Sequence, residues 1–160
     1  MEAVVQFFLL ALTAIFAENT VFTRALGASR ALMEMRSSRS TMLFGAVLTV
    51  ITFFSSLLCY PANILLRMTP YYLYLEPLIF VLCIGIVYAI IYLIIGRFFP
   101  KVQNRIGKML PMATFNSALL GAILVALHQN FNLAQTIGFG LGTGIGFTVA
   151  ALLICEGQKR

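Results

Sequence analysis

The sequence predicts an all-α, polytopic membrane protein, and three observations carry that prediction. Hydrophobic residues make up 61% of the 160-residue chain and charged residues only 10%. The apolar residues fall in five long continuous runs, without the alternation of half-buried strands. Basic residues cluster between particular runs and at the end of the chain. A soluble domain of this length cannot bury so much apolar surface, whereas lipid solvates it. A helix crossing the hydrocarbon core needs roughly 20 apolar residues, and within lipid every backbone N–H and C=O must be paired inside the fold. Continuous runs meet both demands as helices and argue against a β-barrel. Residues 1–160 read as a single integral-membrane domain.

The first run, about Val4 to Phe22, follows acidic Glu2 and leads to no small-x-small cleavage pattern. It therefore reads as a retained span and not as a signal peptide. The second, about Thr41 to Tyr60, is closed by Pro61. The third, about Leu78 to Ile95, is entered through Pro77. The fourth runs from about Met109 to Leu127, and the fifth from about Leu133 to Cys155. Arg24, Arg30, Arg36 and Arg39 separate the first two runs, and Arg97, Lys101, Arg105 and Lys108 separate the third and fourth. Lys159 and Arg160 end the chain, while the other two loops hold Arg67 and His128. Cytoplasmic loops carry the excess of Lys and Arg, so the C-terminus is expected in the cytoplasm and the N-terminus outside. The net charge of +6 is thereby a matter of topology; lipid, and no nucleic acid, is the expected partner.

Several residue types carry a functional and a plain reading. Cys59, Cys83 and Cys155 have no CxxC or metal-ligand spacing, so no metal site is expected. They read as buried small hydrophobes, with a Cys59–Cys83 disulfide as the alternative. "TPYYLYLEP", Thr69 to Pro77, reads as an outer loop with an interfacial tyrosine belt; a catalytic tyrosine is the sharper alternative. His128, the single histidine, falls in a short outer loop with no Asp in the chain to complete a triad, so no catalytic residue is expected. In "IGFGLGTGIGF" the glycines Gly138, Gly142 and Gly146 recur every four residues, and Gly140 with Gly144 makes a second small stripe. Such faces let helices approach closely; a phosphate loop is excluded because no strand precedes it.

Two stretches break the apolar pattern. "FAENTVFTRALGASR" places Glu18 and Asn19 near the end of the first run, and "LPMATFNSALLG" places Thr114, Asn116 and Ser117 inside the fourth. Ionisable groups at membrane depth face the protein interior or a water-filled cavity. Glu18 reads either as an interfacial ion pair with Arg24 or as part of an ion or proton path. Both stretches carry an Asn followed by Leu-Gly: Asn19 with Leu26-Gly27, Asn116 with Leu120-Gly121. Inverted-repeat membrane folds place broken, polar segments at corresponding positions of their halves, and Asn, Ser and Thr re-satisfy the freed backbone. A 3+3 inverted repeat with broken first and fourth helices is the expected architecture.

These two stretches, with "RFFPKVQNRIGKMLPMATFNSALLG" and "NFNLAQTIGFGLGTGIGF", resemble the small integral-membrane subunits of the Rnf and Nqr ion-translocating oxidoreductases. The Glu18-Asn19 pair and the basic first loop are more similar to the Rnf A-type and Nqr E-type members. The resemblance implies a prokaryotic cell-membrane location and pairing with an oppositely inserted homologous subunit inside a redox complex. It also implies a [2Fe–2S] cluster between the two, each chain giving two cysteines. Both matching positions here are serine, Ser29 and Ser117, so no cofactor is expected on this chain. A carboxylate that many members carry in the third span corresponds to Tyr92. A sixth span follows the cluster matching Lys159-Arg160 in the family; this chain is either a five-span variant or lacks that part. The implied function is a membrane subunit of an electron-transport complex or a cluster-less paralogue; a redox-free transporter or channel on the same scaffold is the alternative.

Overall fold

The computed structural model describes residues 2–27 and 37–157, and their regular structure is helical throughout. In order they form α1 (Glu2–Phe16), α2 (Thr20–Arg24), α3 (Ser38–Leu66), α4 (Tyr72–Phe98), α5 (Pro100–Ile106), α6 (Met109–Thr114), α7 (Ser117–His128) and α8 (Leu133–Gly157). Helices α3, α4 and α8, and α6 with α7 taken together, are long and apolar enough to cross a membrane. The chain is a multi-pass membrane protein. At 1.5 Å per residue the 15 residues of α1 rise only about 22 Å, short of a hydrocarbon core of about 30 Å.

Polar contacts define the two ends of the bundle. At one end, the α1 end, Asn132 Nδ2 and Gln135 Nε2 donate to Gln6 Oε1, and Arg67 donates to the Leu127 carbonyl at 2.8 Å. At the other, Ser38 Oγ donates to Glu156 at 2.6 Å. Three helix boundaries differ from the sequence expectation. Helix α3 continues through Pro61 to Leu66, because Pro61 is exposed and a bilayer helix tolerates the one ladder bond it loses. Helix α4 starts at Tyr72, so Pro77 lies inside it and two thirds of the supposed tyrosine loop is helical. His128 is the last residue of α7 and not a loop residue.

Helix α8 is the organising element. Its Gly138, Gly142 and Gly146 lie against α1: a Cβ at Gly138 would stand 2.5 Å from the Phe7 carbonyl oxygen, and one at Gly146 3.0 Å from that of Ala14. A Cβ at Gly142 would collide with the Ala11 carbonyl. The other small stripe meets α3, Gly140 beside Ser56 and Gly144 beside Thr49, while Gly45 of α3 receives Thr148. Lipid is as apolar as leucine, so helix association here depends on close van der Waals contact, and small residues allow it. Threonines within these faces turn inward without cost to polarity. Thr52, Thr136 and Thr143 each donate to the carbonyl four residues earlier, at 2.7 to 2.9 Å. The larger core side chains, Leu48, Ile51, Phe80, Leu119, Ile123 and Phe147, fill the space among α3, α4, α7 and α8. Cys59 and Cys83 are buried free thiols in that core, not a disulfide.

Replacing Gly142 with Ala should destabilise the protein by about 1–3 kcal/mol through overpacking against α1. Gly85, on α4, has open space around it, so Gly85→Ala should be neutral or slightly stabilising. Thermal unfolding of both variants in one detergent checks the contrast.

Candidate functional site

The site is built from two helix interruptions. Helix α1 ends at Phe16, and the N–H groups of Ala17 and Glu18 both reach the Thr13 carbonyl. Asn19 then adopts extended backbone and caps α2, its Oδ1 accepting from Val21 N–H at 3.1 Å and Phe22 N–H at 3.4 Å. Its Nδ2 donates in the opposite direction, to the Ile15 carbonyl at 2.9 Å and to the Gly146 carbonyl of α8 at 2.8 Å. One side chain thus joins the end of α1, the start of α2 and the middle of α8. After α2 the chain turns through two residues of positive φ, Ala25 at 52° and Gly27 at 74°. A side chain at Gly27 would be strained by that conformation and would meet Asn116, Phe147 and Ala118.

The second interruption separates α6 from α7. Phe115 N–H bonds back to the Pro111 carbonyl, and Asn116, again extended, caps α7 through Oδ1 to Ala118 N–H at 3.0 Å. Thr114 Oγ1 donates to the Leu110 carbonyl at 2.8 Å. Ser117 Oγ accepts the Gly27 N–H at 2.9 Å and so joins the two interruptions. Asn19, Thr114 and Asn116 are all buried to 2% exposure or less. Thr20 Oγ1 and Asn116 Nδ2 are buried without a hydrogen-bond partner among the described residues. A cavity of about 270 Å³ opens beside Asn116 and Ser117, walled by Val81, Ile84 and Leu120.

Other singled-out residues fall elsewhere. Glu18 is not deeply buried: its side chain is 35% exposed and lies 3.5 Å from Arg24. Arg24 does not belong with Arg39. It shares a cavity with Val125, His128 and Gln129 and so faces the α1 end. Chain reversal after Asn19, invisible in a run of residues, puts it there. Tyr92 is exposed and packs on Tyr88, which in turn touches Phe115 at the second interruption. Sequence reasoning misses Glu76. The apolar pattern leaves it in a loop, yet it sits in α4, 4% exposed, with His128 Nε2 3.6 Å from its carboxylate. The available signal is a lone carboxylate in a strongly apolar helix, masked by the neighbouring Pro77.

An all-helical membrane bundle with asparagine-capped interruptions between α1 and α2 and between α6 and α7 defines the class of protein. The comparison with known families makes it particular: a model described as the Rnf-Nqr subunit, membrane protein, matches residues 7–159, and the chain belongs to that family. It is 29% identical over 150 residues to the A-type component of the Na(+)-translocating ferredoxin:NAD(+) oxidoreductase complex of Acetobacterium woodii, covering 93% of this chain and 78% of that one. It is 28% identical over 153 residues to the A-type component of the ion-translocating oxidoreductase complex of Syntrophotalea carbinolica, covering 95% and 79%. The E-type component of the Na(+)-translocating NADH-quinone reductase of Shewanella denitrificans is 30% identical over 84 residues, covering 51% and 42%.

The cluster implied by the resemblance is tested by Ser117. Iron–sulfur clusters are held by thiolates, whereas Ser117 offers a hydroxyl that already accepts the Gly27 N–H. Ser29 lies outside the described residues. Cys59 and Cys83 sit in the α3–α4 core and Cys155 near the far end of α8. The described donor set does not fit such a cluster.

The hydrogen-bond inventory separates the two asparagines. Asn19→Asp turns two donated bonds into contacts between acceptors and should cost about 2 kcal/mol or more. Asn116→Asp keeps its cap, loses no donated bond and adds negative charge at a helix N-terminus, so its effect should be smaller. Unfolding midpoints of the two variants in detergent test the order.

Proposed function

We propose that this chain is an integral-membrane subunit of an Rnf/Nqr-type ion-translocating oxidoreductase complex, set in the prokaryotic cell membrane with its C-terminus in the cytoplasm. The carrying observation is the family match from residue 7 to 159 on a chain whose helices are interrupted at Asn19 and Asn116. The relatives' names place them in multi-subunit complexes, so other complex subunits are its partners. In this reading the principal partner is a homologous subunit inserted in the opposite orientation, meeting this chain beside Asn116 and Ser117. The distribution of charge supports the orientation: Arg39, Arg97, Lys101, Arg105 and Lys108 lie at or beyond the Ser38 end of the bundle.

The chain keeps the junction of the two interruptions and leaves out the electron relay. Ser117 uses its hydroxyl to tie Gly27, which is a structural task. Electrons then pass through groups held by other subunits, and this chain contributes the membrane scaffold.

Anaerobic purification from native membranes tests both parts. The chain should co-purify with a homologous membrane subunit and redox subunits, and the iron and sulfide of the complex should be unchanged by a Ser29→Ala, Ser117→Ala double variant. Recovery of the chain free of any redox subunit defeats the subunit reading. Stoichiometric loss of iron in the double variant defeats the cluster-free reading.

A further inference from the structure

We infer that the cavity at the α1 end of the bundle, beneath Arg67 and His128, is a binding site for a small monovalent cation with the Glu76 carboxylate as its principal ligand. The cavity measures about 400 Å³ and is lined by Arg67, Tyr72, Leu73, Glu76, His128 and Asn130. Glu76 is 4% exposed, and among the described residues its carboxylate makes no hydrogen bond. Its ionic neighbour there is His128, whose Nε2 stands at 3.6 Å, beyond hydrogen-bond reach. A buried carboxylate without donors is unstable as an ion unless a cation joins it.

Arg67 is not that cation. Its guanidinium donates to Asn130 Oδ1 and to the Leu127 carbonyl, and so is committed to the C-terminal carbonyls of α7, where the helix dipole favours positive charge. Proline supplies a second oxygen. Pro77 has no N–H, so the carbonyl of Leu73, a residue that lines the cavity, lacks the helical donor four residues ahead. A carboxylate and a free carbonyl are ligands for a hard cation, and a single carboxylate suits one positive charge better than two. The assignment is independent of subunit membership, because binding is a property of this chain.

The test uses the full chain in lipid nanodiscs, titrated with NaCl against choline chloride at constant ionic strength. Infrared difference spectra should show a saturable carboxylate shift on adding Na+, and the unfolding midpoint should rise. At Na+ ten times the dissociation constant the folded-to-unfolded ratio should increase about 11-fold. Both responses should vanish in Glu76→Gln and persist in Glu18→Gln. Should Glu76→Gln not fold, Glu76→Asp, one methylene shorter, should bind Na+ about tenfold more weakly, a difference of about 1.4 kcal/mol. The inference is overturned by no saturable Na+ response, by a response to pH alone, by a response that survives Glu76→Gln, or by equal affinity in Glu76→Asp. None of these results touches the co-purification outcome, so the two readings fail separately.

Discussion

Interrupting a helix in lipid frees backbone N–H and C=O groups that no water can reach, and the rest of this fold follows from how those groups are paired. Asn19 and Asn116 do it with the same device, an extended residue whose side-chain oxygen caps the helix that follows. Ser117 completes the work by taking the Gly27 N–H across the gap between the interruptions. The Asn19 amide also needs an acceptor on a third element, and it finds the Gly146 carbonyl. That bond requires α8 to lie close, and a Cβ at Gly146 would crowd Ala14, Ile15 and the Asn19 amide at 3.0 Å.

The glycines of α8 therefore serve two ends at once. They admit α1 and α3 to either side, and they expose α8 backbone to the polar side chain of the first interruption. Leucines would fill the same volume, but in lipid they gain little from contact with one another that they would not gain from acyl chains. Close backbone approach and a few internal hydrogen bonds thus take the place of the hydrophobic drive that assembles a soluble bundle. Threonine fits this scheme because its hydroxyl bonds to its own helix and presents a methyl group to the neighbour.

The chain has the membrane scaffold of its family, and a serine ties its two interruptions together. The Ser117 hydroxyl suits the junction, since oxygen accepts the Gly27 N–H better than sulfur would. The charged chemistry lies toward the α1 end. Glu18 with Arg24, and Glu76 with His128, flank cavities that share His128 as a common wall, whereas basic residues crowd the other end.

Composition and run length were enough for a helical membrane fold, because solvation by lipid is a property of the residues themselves. The interruptions were legible too: polar caps such as Asn19 and Asn116 stand out against apolar neighbours, and their purpose is local. What each long helix does at a proline was not legible. Pro61 and Pro77 read as boundaries, yet bilayer packing tolerates both inside helices. Nor was the partner of either glycine stripe, since a four-residue spacing defines a face and says nothing of which helix meets it. Glu76 and Arg24 changed most. Their surroundings come from residues far along the chain, His128 for one and Gln129 for the other, and only the folded arrangement of α2, α4 and α7 brings those together.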